Sequence, residues 1–166
     1  GDLIPTDGYL IRTDSEGNLL WNKAYRGEGE QATDAYCAGE TRDGGYFLLG
    51  GFLSSAFEWN ECLLKTDKEG NLLWRQTYGS PSDDDWLQCG QEISGGGYIL
   101  AGVTYSSGAG GADVHLLKTD AEGNLVWEKT FGGPLDERAF YVQQTRDGGY
   151  ILAGDTGSFA TDGASA

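Results

Sequence analysis

Any chemistry in this sequence has to come from carboxylates, aromatic rings and a few isolated nucleophiles. Three acidic stretches stand out: Glu28 and Glu30, Asp83-Asp84-Asp85, and Asp136-Glu137. Hard cations such as Ca2+ take several oxygens at about 2.3–2.6 Å, and three aspartates in a row supply part of such a set. Their spacing is not that of an EF-hand loop, and the same residues read equally as a solvated acidic rim. Ca2+ is therefore the one cofactor the sequence suggests, with Asp83, Asp84 and Asp85 as its candidate ligands. A second acidic pattern recurs as Asp14-x-Glu16-Gly17, Asp67-x-Glu69-Gly70 and Asp120-x-Glu122-Gly123. It falls between strand-like runs, where Asp, Gly and Asn make hairpin turns.

The nucleophiles are sparse. Cys37, Cys62 and Cys89 form no CxxC pair and are odd in number, which suits neither a disulfide framework nor a zinc site. A disulfide needs Cα atoms within about 7 Å, and Cys37 and Cys89 read instead as small apolar fillers on equivalent strands. His115 is the sole histidine and lies in a strand-like run, a structural position. With no G-x-S-x-G elbow and no cluster of metal ligands, the usual hydrolytic routes lack parts. Exposed aromatics among Ser and Gly remain as candidates for stacking on sugar rings or gripping a peptide: Phe52, Phe57, Trp59, Tyr105 and Phe159. The alternative is that they cover sheet edges or a seam between chains.

The composition narrows what can position these groups. Glycine takes 28 of 166 positions, against 3 prolines and no methionine. Glycine costs roughly 1 kcal/mol per interior helix site relative to alanine, so long helices are disfavoured. Aromatics at 12% give the chain apolar area to bury. The formal net charge of −15 repels phosphate backbones and anionic membranes, so neither nucleic acid nor a membrane is an expected partner. No apolar run approaches the roughly 18 residues of a membrane helix. The chain opens Gly1-Asp2 with no recognisable signal peptide, which reads as a processed or excised segment.

A repeat organises everything else. Leu10-Ile11-Arg12-Thr13-Asp14 returns as Leu63-Leu64-Lys65-Thr66-Asp67 and as Leu116-Leu117-Lys118-Thr119-Asp120, at steps of 53 residues. Each copy continues into Glu-Gly-Asn and reaches a tryptophan: Trp21, Trp74 and Trp127. A second block, Gly44-Gly45-Tyr46, Gly96-Gly97-Tyr98 and Gly148-Gly149-Tyr150, recurs at steps of 52 and opens an apolar run each time. Each repeat holds four short strands, A to D; in the last repeat they lie at about 139–145, 150–155, 113–119 and 125–131. The apolar runs are near-continuous, the pattern of sheets covered on both faces. Four-stranded units of about 50 residues with both faces covered are expected to be β-propeller blades.

The segment Thr119-Asp120-Ala121-Glu122-Gly123-Asn124-Leu125-Val126-Trp127 resembles the tryptophan-docking motif of quinoprotein-like propellers. The whole repeat is similar to secreted bacterial and archaeal propeller repeats of the form LLKTD-x-x-GN-x-x-W … DGGY-I-x-A-G. The resemblance implies an all-β propeller, an extracellular or cell-surface location, and a blade-packing role for Trp21, Trp74 and Trp127. Dehydrogenases of the quinoprotein class add a bound quinone, Ca2+, a catalytic aspartate and often a vicinal disulfide. No adjacent cysteines occur here and no complete cofactor constellation maps onto these loops, so a non-enzymatic protein is expected, with a quinone-dependent oxidoreductase as the minor alternative.

The phase of the repeat sets the domain organisation. One propeller (half-)domain spans 1–166, made of a half-blade at 8–25, blades at 34–78 and 86–131, and a half-blade at 139–155. Propellers need about four to eight blades to close. Each half-blade would leave an open strand edge, an association hazard. The expected partner is a second copy, with the C-terminal hairpin of one chain completing the N-terminal hairpin of the next. A six-bladed dimer, a larger ring or filament, and a fragment of a longer propeller all remain open here. So do two roles: a self-assembling scaffold, and a binding module that holds a glycan or a protein ligand on its long loops.

Overall fold

A computed structural model describes residues 6–27, 31–56, 58–79 and 84–159. Among these residues there are twelve strands, no helix, and four antiparallel sheets. The first sheet is a hairpin of β1 (Gly8–Thr13) and β2 (Leu19–Tyr25). The next two have four strands each. One contains β3 (Ala32–Glu40), β4 (Tyr46–Leu53), β5 (Trp59–Thr66) and β6 (Leu72–Tyr78). The other contains β7 (Asp85–Glu92), β8 (Tyr98–Thr104), β9 (Asp113–Thr119) and β10 (Leu125–Phe131). The last is a hairpin of β11 (Glu137–Gln144) and β12 (Tyr150–Thr156). No ladder joins the two hairpins among the described residues, so the set is open.

Turn chemistry explains why strands of this length meet in this order. After β3, the Thr41 N–H donates to the Gly45 carbonyl at 2.9 Å and the Gly44 N–H to the Thr41 carbonyl at 2.8 Å. Gly44 sits at φ +81°, a left-handed conformation that costs glycine little. The turns before β8 and β12 repeat these bonds. Just after β1, β5 and β9, Asp14, Asp67 and Asp120 open the other hairpins, with Gly17, Gly70 and Gly123 at φ near +80°. The ladder skips Leu20, Leu73 and Val126, a bulge that shifts the alternation just before each tryptophan.

Three apolar seams hold the sheets face to face. Leu10, Tyr25, Leu48, Cys62 and Leu64 lie between the first hairpin and the β3–β6 sheet. Phe47, Leu49, Leu63, Leu87, Tyr98, Leu100 and Leu117 fill the space between the two four-stranded sheets. Cys89, Ile99, Ala101, Leu116, Ala139 and Val142 join the β7–β10 sheet to the last hairpin. Alternate residues of β8 thus enter different seams, Leu100 on one side and Ile99 on the other. Both faces being covered is the physical cause of the unbroken apolar run.

Each seam also carries the same aromatic device. Trp21 meets Tyr46 edge-on at 5.5 Å between ring centroids, Trp74 meets Tyr98 at 6.1 Å, and Trp127 meets Tyr150 at 5.9 Å. In two seams the tryptophan also covers the turn of the next sheet. A Cβ on Gly70 would lie 2.9 Å from the Trp21 ring, and one on Gly123 would lie 2.7 Å from Trp74. Tyr25 and Tyr78 lock those turns by donating to the carbonyls of Gly70 and Gly123 at 2.7 and 2.6 Å.

Candidate functional site

The acidic groups turn out to be builders of loops. At Asp67, Oδ1 accepts from the N–H of Glu69 at 3.0 Å and of Asn71 at 2.8 Å, while Oδ2 accepts from the Asn71 side-chain amide at 2.9 Å. Asp14 and Asp120 repeat the arrangement. These bonds, the asparagine side chain's foremost, hold all three carboxyls below their ordinary range. Three of the roughly four lone-pair sites on each carboxylate are taken up by the turn.

In the run Asp83-Asp84-Asp85, Asp83 lies outside the described residues, as do Glu28 and Glu30. Asp84 accepts from the N–H of Trp59 at 3.1 Å. Asp85 is fully buried, with Oδ1 accepting from the Tyr105 N–H at 2.9 Å and Oδ2 from the Ser106 hydroxyl at 2.7 Å. Glu137, 52 residues later, plays the same part. It accepts from the N–H of Gly133 and Ser158 at 2.6 and 2.9 Å and from the Thr156 hydroxyl at 2.8 Å. Burial would raise its pKa, but these donors together outweigh that and bring it down to about 2. Among the described residues no group of three or more His, Cys, Asp or Glu side chains is arranged to hold a metal ion.

Asp84 and Asp85 help position an aromatic ledge at one end of the central sheets. Trp59 heads β5, Trp86 is the second residue of β7, and Tyr105 follows β8. Trp86 and Tyr105 lie 5.9 Å apart with a 44° tilt. A Cβ on Gly51 would touch both the Trp59 ring at 3.1 Å and Trp86 at 3.2 Å, so glycine there lets the two tryptophans approach. The Tyr105 hydroxyl engages Arg138, whose Nη2 also donates to Asp136 at 3.1 Å. Trp86 was not singled out from the sequence, because the other repeats carry Asp34 and Arg138 at its position.

The remaining aromatic candidates lie elsewhere. Phe52 packs toward the first hairpin with the Arg75 guanidinium 4.7 Å above its ring. Phe159 is exposed and lies against Gly133, next to the last hairpin. Phe57 is outside the described residues.

His115, Cys62 and Cys89 are buried, and Cys37 is half-buried. His115 on β9 is bonded through Nδ1 to Glu61 of β5 at 2.9 Å and through Nε2 to Glu128 of β10 at 3.3 Å. Burial alone would lower its pKa, but the two carboxylates raise it above the ordinary histidine value. Glu61 is fully buried, and desolvation pushes it up against the pull of His115. Both ring nitrogens are engaged, which leaves no lone pair for a metal or a substrate. None of the three cysteines forms a disulfide, and burial pushes the Cys89 thiol up to about 12. A thiol that stays protonated is a poor nucleophile.

No family model and no curated protein matches this sequence. Among solved structures, the chain is similar to a protein of unknown function from Bacteroides caccae, at 14% identity and a TM-score of 0.52. The match covers 86% of this chain and 45% of that one, so the chain spans under half the length of that relative. At this identity the likeness concerns the fold alone.

Proposed function

We propose that the chain is a non-enzymatic, extracellular scaffold of the β-propeller type, which assembles with itself by completing its two terminal hairpins between chains. One observation carries this reading. The stretch Gly-Gly-Tyr-Ile-Leu-Ala-Gly occurs at 96–102 and again at 148–154. In β8 it is covered on both faces and paired on both edges, while in β12 Ile151 is 57% exposed and, among the described residues, one edge has no partner strand. Identical apolar surface left open at one place is an association surface. The extracellular location rests on the resemblance to secreted repeats.

Light scattering on a sizing column tests it. A closed six-bladed pair gives about twice the 17.8 kDa chain mass, and an open filament gives large polydisperse material. A folded species at the single-chain mass, at every concentration up to about 1 mM, overturns self-assembly.

A second reading is favoured by the ledge. Trp59, Trp86 and Tyr105 stand together, Tyr105 held by the buried Asp85 and Trp59 by the exposed Asp84, as a surface that stacks on a glycan or grips a peptide would. Reproducible glycan-array hits lost in Trp86→Ala and Trp59→Ala support that reading; silence from the folded protein removes the glycan form of it.

A further inference from the structure

We propose that β12 of one copy pairs antiparallel with β1 of a second copy in the register of the inner sheets, Tyr150 opposite Thr13, with Arg12 of the second copy closing the Asp147 turn and the Gly17 turn of the second copy seated on Trp127. This rests on the self-assembly reading and specifies the surfaces that meet. Four observations made on different residues agree on the same register.

The ladders come first. In the β3–β6 sheet, Tyr46 faces Thr66, Phe47 faces Lys65, Leu48 faces Leu64 and Leu49 faces Leu63. The β7–β10 sheet keeps this register, with Ile99 facing Lys118 and Leu100 facing Leu117. Moved by the repeat steps onto the open edges, Ile151 faces Arg12, Leu152 faces Ile11 and Ala153 faces Leu10. Ile151 and Ile11 are 57% and 52% exposed, while the equivalent Ile99 and Leu64 are 0% and 4%.

A glycine without a local reason comes second. A Cβ on Gly45 would lie 2.2 Å from the Thr66 carbonyl oxygen, and one on Gly97 would lie 2.1 Å from that of Thr119. Only glycine fits under a carbonyl that close. At Gly149 the nearest atom is its own turn's Thr145 hydroxyl at 3.1 Å, and its φ is not left-handed. The equivalent carbonyl belongs to Thr13, at the other end of the stack.

A missing cation comes third. Asp43 receives Lys65 Nζ at 2.9 Å, and that lysine side chain is only 6% exposed. Asp147 opens the same turn, accepting from Thr145 and from the Gly149 N–H, with no cation beside it among the described residues. Arg12 holds the repeat position of Lys65 and donates through Nε to the Tyr46 hydroxyl at 2.8 Å.

The fourth is the uncovered turn. Gly70 and Gly123 each lie beneath a tryptophan, whereas a Cβ on Gly17 would meet nothing within 4 Å. Trp127 stands at the other end with Tyr150 beside it and, among the described residues, no turn to cover. Every group that β12 lacks is carried by this chain's own first hairpin, which makes a second copy the matching partner.

Charge reversal tests the register. Sedimentation velocity would compare wild type, Arg12→Asp, Asp147→Arg and an equal mixture of the two variants, each checked for folding by circular dichroism. Either variant alone sets like charges against each other at every seam, and association is expected to weaken tenfold or more. The mixture gives each reversed charge its complement and should return to within about threefold of wild type. Gly149→Ala, whose Cβ would meet the Thr13 carbonyl of the second copy, should stay folded and lose association. If wild type associates but neither the reversals nor Gly149→Ala matter, this register is overturned while self-assembly stands. If wild type is a folded monomer throughout, both readings fall.

Discussion

β8 and β12 carry the same five residues, Tyr-Ile-Leu-Ala-Gly, and live in opposite surroundings. Every residue of β8 is buried between two neighbouring strands and two facing sheets; among the described residues β12 has a neighbour on one edge, a sheet on one face, and a largely exposed remainder. Local sequence therefore sets the strand, while the environment comes from which units stand beside it. The pair is a natural control for what the seams contribute.

The largest expected contrast is between Ile99→Ala and Ile151→Ala. Truncating a fully buried isoleucine costs about 2–5 kcal/mol, transfer and cavity terms together. The exposed one should change the stability of dilute protein by about 0.5 kcal/mol or less. Urea unfolding measures both, and equal costs would break the comparison. Next comes Gly45→Ala against Gly149→Ala. The first forces a Cβ to 2.2 Å from a backbone carbonyl, an overpacking cost of about 1–3 kcal/mol, whereas the second has only a hydroxyl at 3.1 Å to displace. Similar melting temperatures for the two variants would count against the geometry.

Two pH effects sharpen the contrast further. The His115 triad bridges only the interior seam, and the folded pKa values of both His115 and Glu61 are raised. Raised values add stability below the unfolded pKa, about 6.5 for histidine, that is lost as pH climbs through the folded values. The melting temperature should fall between pH 5 and pH 9, and the double variant Glu61→Gln/His115→Gln should flatten that slope. The smallest effect belongs to Asp43, which the Thr41 hydroxyl, the Gly45 N–H and Lys65 depress to about 2. A depressed value adds stability above the unfolded 3.8 that is lost as pH falls toward 2. Its carboxylate is largely exposed, so Lys65→Met should remove only about 0.5 kcal/mol of acid sensitivity.

The all-β class and the antiparallel strand order were readable because the repeat fixes spacing and each turn announces itself through Asp, Gly and Asn. The aromatic ledge was only half readable. Trp59 and Tyr105 stand out as aromatics among small polar residues, but Trp86 has no aromatic counterpart in the other repeats and lies inside a strand. Asp84 and Asp85 read in the sequence as candidate cation ligands. Their oxygens serve backbone N–H groups of Trp59 and Tyr105, about 20 residues or more away in the chain, and nothing local signals which loops will arrive there. The Glu61–His115 contact joins different repeats through positions where other copies carry unlike residues, so periodicity conceals it.

In all three seams the tryptophan comes from the earlier sheet and the tyrosine from the later one. The stack therefore has an arrow. Its two ends are as unlike as a plug and a socket, so in the proposed assembly neither would mate with its own kind. A copy whose first hairpin is blunted keeps a working far end, so in a growing array it would stop one end and leave the other free, acting as a cap at far less than equal amount. In a closed pair the same copy would spoil only the ring it had joined.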